Sequence, residues 1–128
     1  MMNNKNNSLL VLLGPTGVGK TEISIKLAQK IPDVEIISAD SMQIYKYMDI
    51  GTAKPGKNIL KIIKHHMIDI VNPPDNFDVV KYSKLATNII LDVFNLRISL
   101  KNCPNCIIIY YYQNCKIKIV FNFVIFNL

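Results

Sequence analysis

Eight consecutive residues, Gly14-Pro15-Thr16-Gly17-Val18-Gly19-Lys20-Thr21, constrain this chain more than any other stretch. They follow the apolar run Leu9 to Leu13 and precede a helix-like pattern, so the local order is strand, Gly-rich loop, helix. Gly-x-x-x-x-Gly-Lys-Thr in that setting is a phosphate-cradling P-loop. Gly14, Gly17 and Gly19 are expected to take φ > 0 and bring the backbone close to an anion with no Cβ in the way. Successive N–H groups then form a nest, reinforced by the N-terminus of the following helix. Lys20 adds a mobile charge for the phosphates, and Thr21 a hydroxyl suited to Mg²⁺ or a phosphate oxygen. The motif implies an α/β fold, a P-loop NTPase-like parallel sheet with flanking helices, and a nucleotide or other di- or triphosphate as ligand.

The chain has 128 residues, room for one domain, and a complete sheet of this kind usually takes more. Its net charge of +6 is unevenly spread. The last acidic residue is Asp92, whereas Arg97, Lys101, Lys116 and Lys118 follow it. The basic excess therefore lies mostly in the tail and does not describe a nucleic-acid surface on the folded part. The apolar run before Gly14 is too short for a signal-peptide core or a membrane span, so no membrane and a cytoplasmic, reducing setting are expected, an organelle being the other option. Cys103, Cys106 and Cys115 are odd in number, which speaks against a disulfide framework.

Periodicity predicts a strand over 8–13, a helix over 20–31 with Ile23, Leu27, Ala28 and Ile31 on one face, and a strand over 34–39. That second strand delivers Asp40 to its C-terminal end, the edge where open α/β sheets hold ligands. A short helix over 41–48 and a third strand over 67–71 are expected next. Asp78 then caps a helix running to about Asn95, with Tyr82, Leu85, Ala86, Ile89, Ile90 and Val93 along one face.

Beyond Leu96 the character changes. Ile, Asn, Lys, Tyr and Phe make up 21 of the 32 residues from Arg97 to Leu128. Runs such as Ile107 to Tyr112 have strand propensity, yet no turn chemistry joins them. These five residue types have codons built from A and T alone, which suggests translated AT-rich non-coding or out-of-frame sequence. The expected organisation is a disordered 1–7, a partial P-loop domain over 8–96, and an unrelated or mis-translated tail over 97–128.

Ile37 to Pro55 reads ISADSMQIYKYMDIGTAKP, with GPTGVGKT ahead of it and His65-His66-Met67-Ile68-Asp69 behind. Together these motifs resemble the N-terminal part of the tRNA dimethylallyltransferase (IPP transferase) family, from about Leu10 to about Asn95. The resemblance implies prenyl transfer from dimethylallyl diphosphate to N6 of adenosine-37 in the anticodon loop of tRNA, by a monomer. It implies that the P-loop, residues 14 to 21, grips the pyrophosphate, with Lys20 and Thr21 as main side-chain contacts and Mg²⁺ carried on the pyrophosphate beside Thr21. It further implies that Asp40 is the general base and that Asp40, Ser41, Met42 and Gln43 line the site for the flipped nucleotide. The chemistry suits these residues: a neutral amine needs a carboxylate to take its proton, and a departing pyrophosphate needs neutralising charge. Unpaired adenine is readily extruded into a pocket.

Simpler roles compete at each position. Asp40 also fits an Mg²⁺ ligand or a helix cap. Gln43 and Tyr45 also fit ordinary packing, and Lys54 and Lys57 solvated loop lysines that could meet tRNA phosphate. His65-His66 looks like a metal pair, but adjacent strand residues point apart, and Cys103-Cys106 lacks the second half of a zinc knuckle. The resemblance also implies a later Gly-Gly-Thr-Gly segment, a helical insertion and further arginines. No Gly follows Gly56 and the only arginine is Arg97, so three strands, uncovered helix faces and half a catalytic site are expected. The rival functions are an adenylate isopentenyltransferase, another P-loop phosphate-binding enzyme, or an inactive fragment.

Overall fold

The computed structural model describes residues 8–15, 17–99, 106–112 and 123–127, with side chains discussed through Val93. The elements are β1 (Ser8–Gly14), α1 (Lys20–Lys30), β2 (Glu35–Ala39), α2 (Lys57–Ile62), β3 (His65–His66), α3 (Val79–Ser99), β4 (Cys106–Tyr112) and β5 (Phe123–Asn127). All strand pairs are parallel, and the sheet runs β3-β2-β4-β1-β5. The sequence class is therefore the observed one, a parallel sheet with flanking helices in a partial P-loop-like fold.

Period-two alternation explains the layering. Along β1, Leu9 and Val11 join the core beneath α3 while Leu12 joins the core beneath α1. Along β2, Ile37 and Ala39 face the first core and Ile36 the second. A parallel sheet covered on both faces needs such continuous apolar strands. The predicted stripe of α1 packs with Leu10 and Ile59 around Leu12, Val34, Ile36 and Ile63. On α3, Tyr82, Ala86, Ile90 and Val93 are buried, while Leu85 stays on the exposed side. Asp78 caps that helix as expected, Oδ1 accepting from the Lys81 N–H at 2.8 Å. The helix continues to Ser99, past the predicted end.

Four expectations change. The tail supplies β4 and β5, so the sheet has five strands among the described residues instead of three. Ile107 to Tyr112 is the kind of unbroken apolar, β-branched and aromatic run that a central parallel strand uses. The joining segments 100–105 and 113–122, and with them Cys103 and Cys115, lie outside the described residues. No helix forms over 41–48: the Lys46 N–H donates to Val71 O and Tyr45 forms a parallel bridge with Val71, so this backbone is committed elsewhere. The third strand is only His65–His66, because Met67 (φ 65°) and Asp69 (φ 54°) turn the chain into the left-handed region just after it. The apolar signal at Met67 and Val71 reports burial, not an extended ladder. The six-residue α2 carries no buried residue, and its apolar periodicity was too short to register.

Candidate functional site

The P-loop leaves β1 at Gly14 and enters α1 at Lys20. Gly17 (φ 80°) and Gly19 (φ 90°) adopt the left-handed conformation, and Gly19 is the N-cap residue of α1. Gly19 offers no side-chain cap, so among the described residues the first N–H groups of that helix are left for a ligand at the loop. Gly14 differs from expectation: it lies in the strand, is buried, and is absent from the positive-φ residues. Its carbonyl, with that of Pro15, accepts from the Lys20 ammonium at 2.8 and 2.6 Å. Thr16 lies outside the described residues, and Pro15 and Val18 are exposed on the loop.

A cavity of about 380 Å³ opens in front of this loop, lined by Gly17, Gly19, Lys20 and Thr21 on one side and Asp40, Gln43 and Ala53 on the other. Thus the end of β2 meets the loop after β1, as the position of Asp40 at a strand terminus predicts. Asp40 Oδ1 accepts from the N–H groups of Met42 (2.8 Å) and Gln43 (3.3 Å), an Asx turn that sets the carboxylate's direction. Among the described residues Oδ2 has no hydrogen-bond partner. A second cavity, about 90 Å³ and mainly apolar, lies between Ala39, Ile44, Phe77, Val79 and Tyr82, and Asp40 and Ser41 line it too. One carboxylate therefore stands between an anion cradle and an apolar recess. Tyr82 was legible only as part of the apolar face of its helix and Phe77 was not singled out, since nothing local marks either as cavity wall.

Gln43 lines the cavity yet is almost wholly enclosed, its side-chain amide bonded within the protein. It is 1% exposed; its Oε1 accepts from Ser38 Oγ at 2.9 Å, and its Nε2 donates to the carbonyls of Thr52 and Ala53, both at 3.1 Å. Its amide ties the end of β2 to the loop 51–54. Tyr82 continues the network by donating its hydroxyl to Ser38 O at 3.1 Å. Ser41 and Met42 are exposed at the rim.

Lys54 is neither a solvated loop lysine nor one reaching outward. Its side chain is 6% exposed, and Nζ donates to Tyr45 O (2.6 Å), Asp69 Oδ1 (2.6 Å) and Asp49 Oδ1 (3.1 Å). Burial alone would lower its pKa; the hydrogen bonds and charges of Asp69 and Asp49 outweigh that and hold it above the ordinary lysine value. No sequence signal could have found this site, because its acidic partners lie 5 and 15 residues away. Lys57 begins α2 and is exposed.

The histidines divide as their strand geometry requires. His66 Nε2 lies 2.5 Å from Glu35 Oε2, while His65 Nδ1 lies 2.8 Å from Ile63 O. Among the described residues no group of three His, Cys, Asp or Glu side chains could hold a metal. The oxygen donors at the cavity, Thr21 and Asp40, suit Mg²⁺ held chiefly by a phosphate ligand, the habit of an ion that binds through few protein groups. No described helix is long and apolar enough to cross a membrane.

Comparison with known proteins converges on one family. A family profile described as IPP transferase matches residues 43–98. The tRNA dimethylallyltransferase of Thermodesulfovibrio yellowstonii is 59% identical over 86 residues, 67% of this chain and 27% of that protein. That of Alkaliphilus oremlandii is 60% identical over 80 residues, 62% of this chain and 25% of that protein. The crystal structure of tRNA delta(2)-isopentenylpyrophosphate transferase from Staphylococcus epidermidis superposes with a TM-score of 0.68 at 40% identity, covering 81% of this chain and 32% of that one. A eukaryotic dimethylallyltransferase acting on tRNA superposes with a TM-score of 0.70 at 30% identity, covering 82% and 24%. The chain spans about a quarter of the length of the curated relatives it matches.

Proposed function

Because the N-terminal part of this chain is related to the tRNA dimethylallyltransferases of the IPP transferase family, we propose that it serves their reaction, transfer of a dimethylallyl group from dimethylallyl diphosphate to N6 of adenosine-37 in tRNA. The observation that carries this reading is the shared cavity in which Asp40 faces the P-loop. The N–H groups of the loop and the Lys20 ammonium take the pyrophosphate, and Lys20 leaves the Gly14 and Pro15 carbonyls as it does so. As the allylic C–O bond breaks, negative charge grows on the departing pyrophosphate where those donors already stand. Mg²⁺, held by the pyrophosphate beside Thr21, would neutralise part of that charge when bound. Asp40 accepts the N6 proton as the C–N bond forms; its Asx turn orients one oxygen and leaves Oδ2 for the amine. The apolar recess between Ile44, Phe77 and Tyr82 gives the uncharged reacting groups a dry wall on the other side of that carboxylate. In this reading the protein works as a cytoplasmic monomer on an anticodon loop, whose unpaired adenine is presented at the rim formed by Ser41 and Met42.

The test is transfer of labelled dimethylallyl from its diphosphate to tRNA or to AMP by the purified chain. Label is expected in tRNA. Label in AMP would make this an adenylate isopentenyltransferase, and label in neither would make the chain an inactive phosphate-binding fragment. Asp40→Asn is expected to lower transfer by about 10²–10⁴-fold, the usual contribution of a general base, with pyrophosphate affinity retained. Parallel loss of pyrophosphate binding would remove Asp40 from the base role.

A further inference from the structure

Lys54 is a buried charge that the chemistry above leaves without a task. An ammonium has three N–H donors, and here three acceptors meet them: the Tyr45 carbonyl, Asp49 Oδ1 and Asp69 Oδ1. Those acceptors come from three separate points of the chain, so the side chain staples the 45–54 loop to the segment after β3. Two routes lead from this staple to Asp40. In the first, the Asp69 N–H donates to Gln43 O at 3.1 Å, and the Gln43 N–H donates in turn to Asp40 Oδ1. In the second, Thr52 and Ala53, immediately before Lys54, present the two carbonyls that receive the Gln43 amide. Gln43 is thus held at both ends by groups that Lys54 places, and the Asp40 turn is built on Gln43.

We propose that Lys54 is a positioning residue for the site: by joining Tyr45, Asp49 and Asp69 it holds Gln43, and through Gln43 the carboxylate of Asp40, facing the P-loop. The role of Asp40 as base belongs to the function proposed above, on which this inference rests; the staple's control of Gln43 does not. The partners' exposure explains why the role is separable from folding. The Asp69 and Asp49 side chains are 43% and 68% exposed, so both carboxylates rehydrate when the ammonium is removed. What is lost is chiefly the order of the loop. The compact three-way geometry suits an ammonium and not the planar fork of a guanidinium, so Lys54→Arg does not reproduce it.

The experiment compares the wild-type chain with Lys54→Met and, as a variant that keeps the lysine, Asp69→Asn. Hydrogen exchange of the Gln43 side-chain amide, pyrophosphate affinity, and dimethylallyl transfer to tRNA are measured on each. In the wild type the Gln43 amide is expected to be resolved and protected. Both variants are expected to lose that protection with pyrophosphate affinity unchanged, and kcat to fall on the order of 10²-fold, the effect of a small misplacement, with KM for dimethylallyl diphosphate constant. A Gln43 amide that stays protected in both variants overturns the proposal. So does parallel loss of pyrophosphate binding, which would reduce Lys54 to general support of the fold. If the wild type transfers nothing, the proposed function fails, while the amide and pyrophosphate measurements still decide whether Lys54 controls Gln43.

Discussion

Tyr47 is 84% exposed and sits at φ 66°, a region that a bulky L-residue occupies only under strain. It immediately follows Lys46, whose N–H is committed to Val71 O, so the turn's position is set by its neighbours and not by its own preference. Tyr47→Gly removes the strain without removing buried contacts. We expect a gain of about 1 kcal/mol after the added unfolded-state entropy of glycine is offset. An unchanged or lowered Tm for this variant would show that the surrounding loop absorbs no strain there. At this scale the P-loop residues were legible, because their chemistry is local: the left-handed turns at Gly17 and Gly19 need only their own residue types. Lys54 and Gln43 were not. Their roles depend on Asp69, Ser38 and Thr52, and no spacing rule connects those positions.

β3 illustrates how an element's behaviour follows from what it is packed against. His65 lies in this two-residue strand beside β2, and its buried Nε2 has no hydrogen-bond partner among the described residues. Burial lowers its pKa below the ordinary 6.5; the charge of neighbouring His66 adds to that, and the hydrogen bond to the Ile63 carbonyl opposes it. The folded state therefore binds this proton less readily than the unfolded chain. Stability contributed at neutral pH is lost as pH falls through about 6.5 toward the lower folded value. The urea midpoint is expected to drop on acidification across that window, and His65→Phe to flatten the dependence. A pH dependence identical in both chains would place the acid sensitivity elsewhere. Elements with strong periodicity, β1, α1, β2 and α3, were readable from sequence because burial on one face leaves a pattern. The segment 41–48 misled for a physical reason: Asp40 captures two N–H groups as a helix cap does, yet the carbonyl and N–H groups that follow pair with residues 69–71.

For the whole molecule the decisive fact is the strand order. Among the described residues β1, which carries the P-loop, pairs only with β4 and β5, and β2, which carries Asp40, pairs with β3 and β4. The two halves of the candidate site are therefore joined in the sheet through Cys106–Tyr112. A chain ending at Ser99 is expected to lose cooperative thermal unfolding and to bind hydrophobic dye, since β1 would keep no partner and both apolar faces would loosen. Unaltered cooperative melting of that shorter chain would show that the 97–128 tail is dispensable. By itself the sequence determined the phosphate cradle, the class of fold, the two amphipathic helices, and the likeness to tRNA dimethylallyltransferases, because each is written in residues close together along the chain. Only the tertiary structure decided which strand lies between β1 and β2, that Gln43 and Lys54 face inward, and that an apolar recess lies on the other side of Asp40 from the P-loop, because these depend on pairing and burial between residues far apart, which local propensity does not encode.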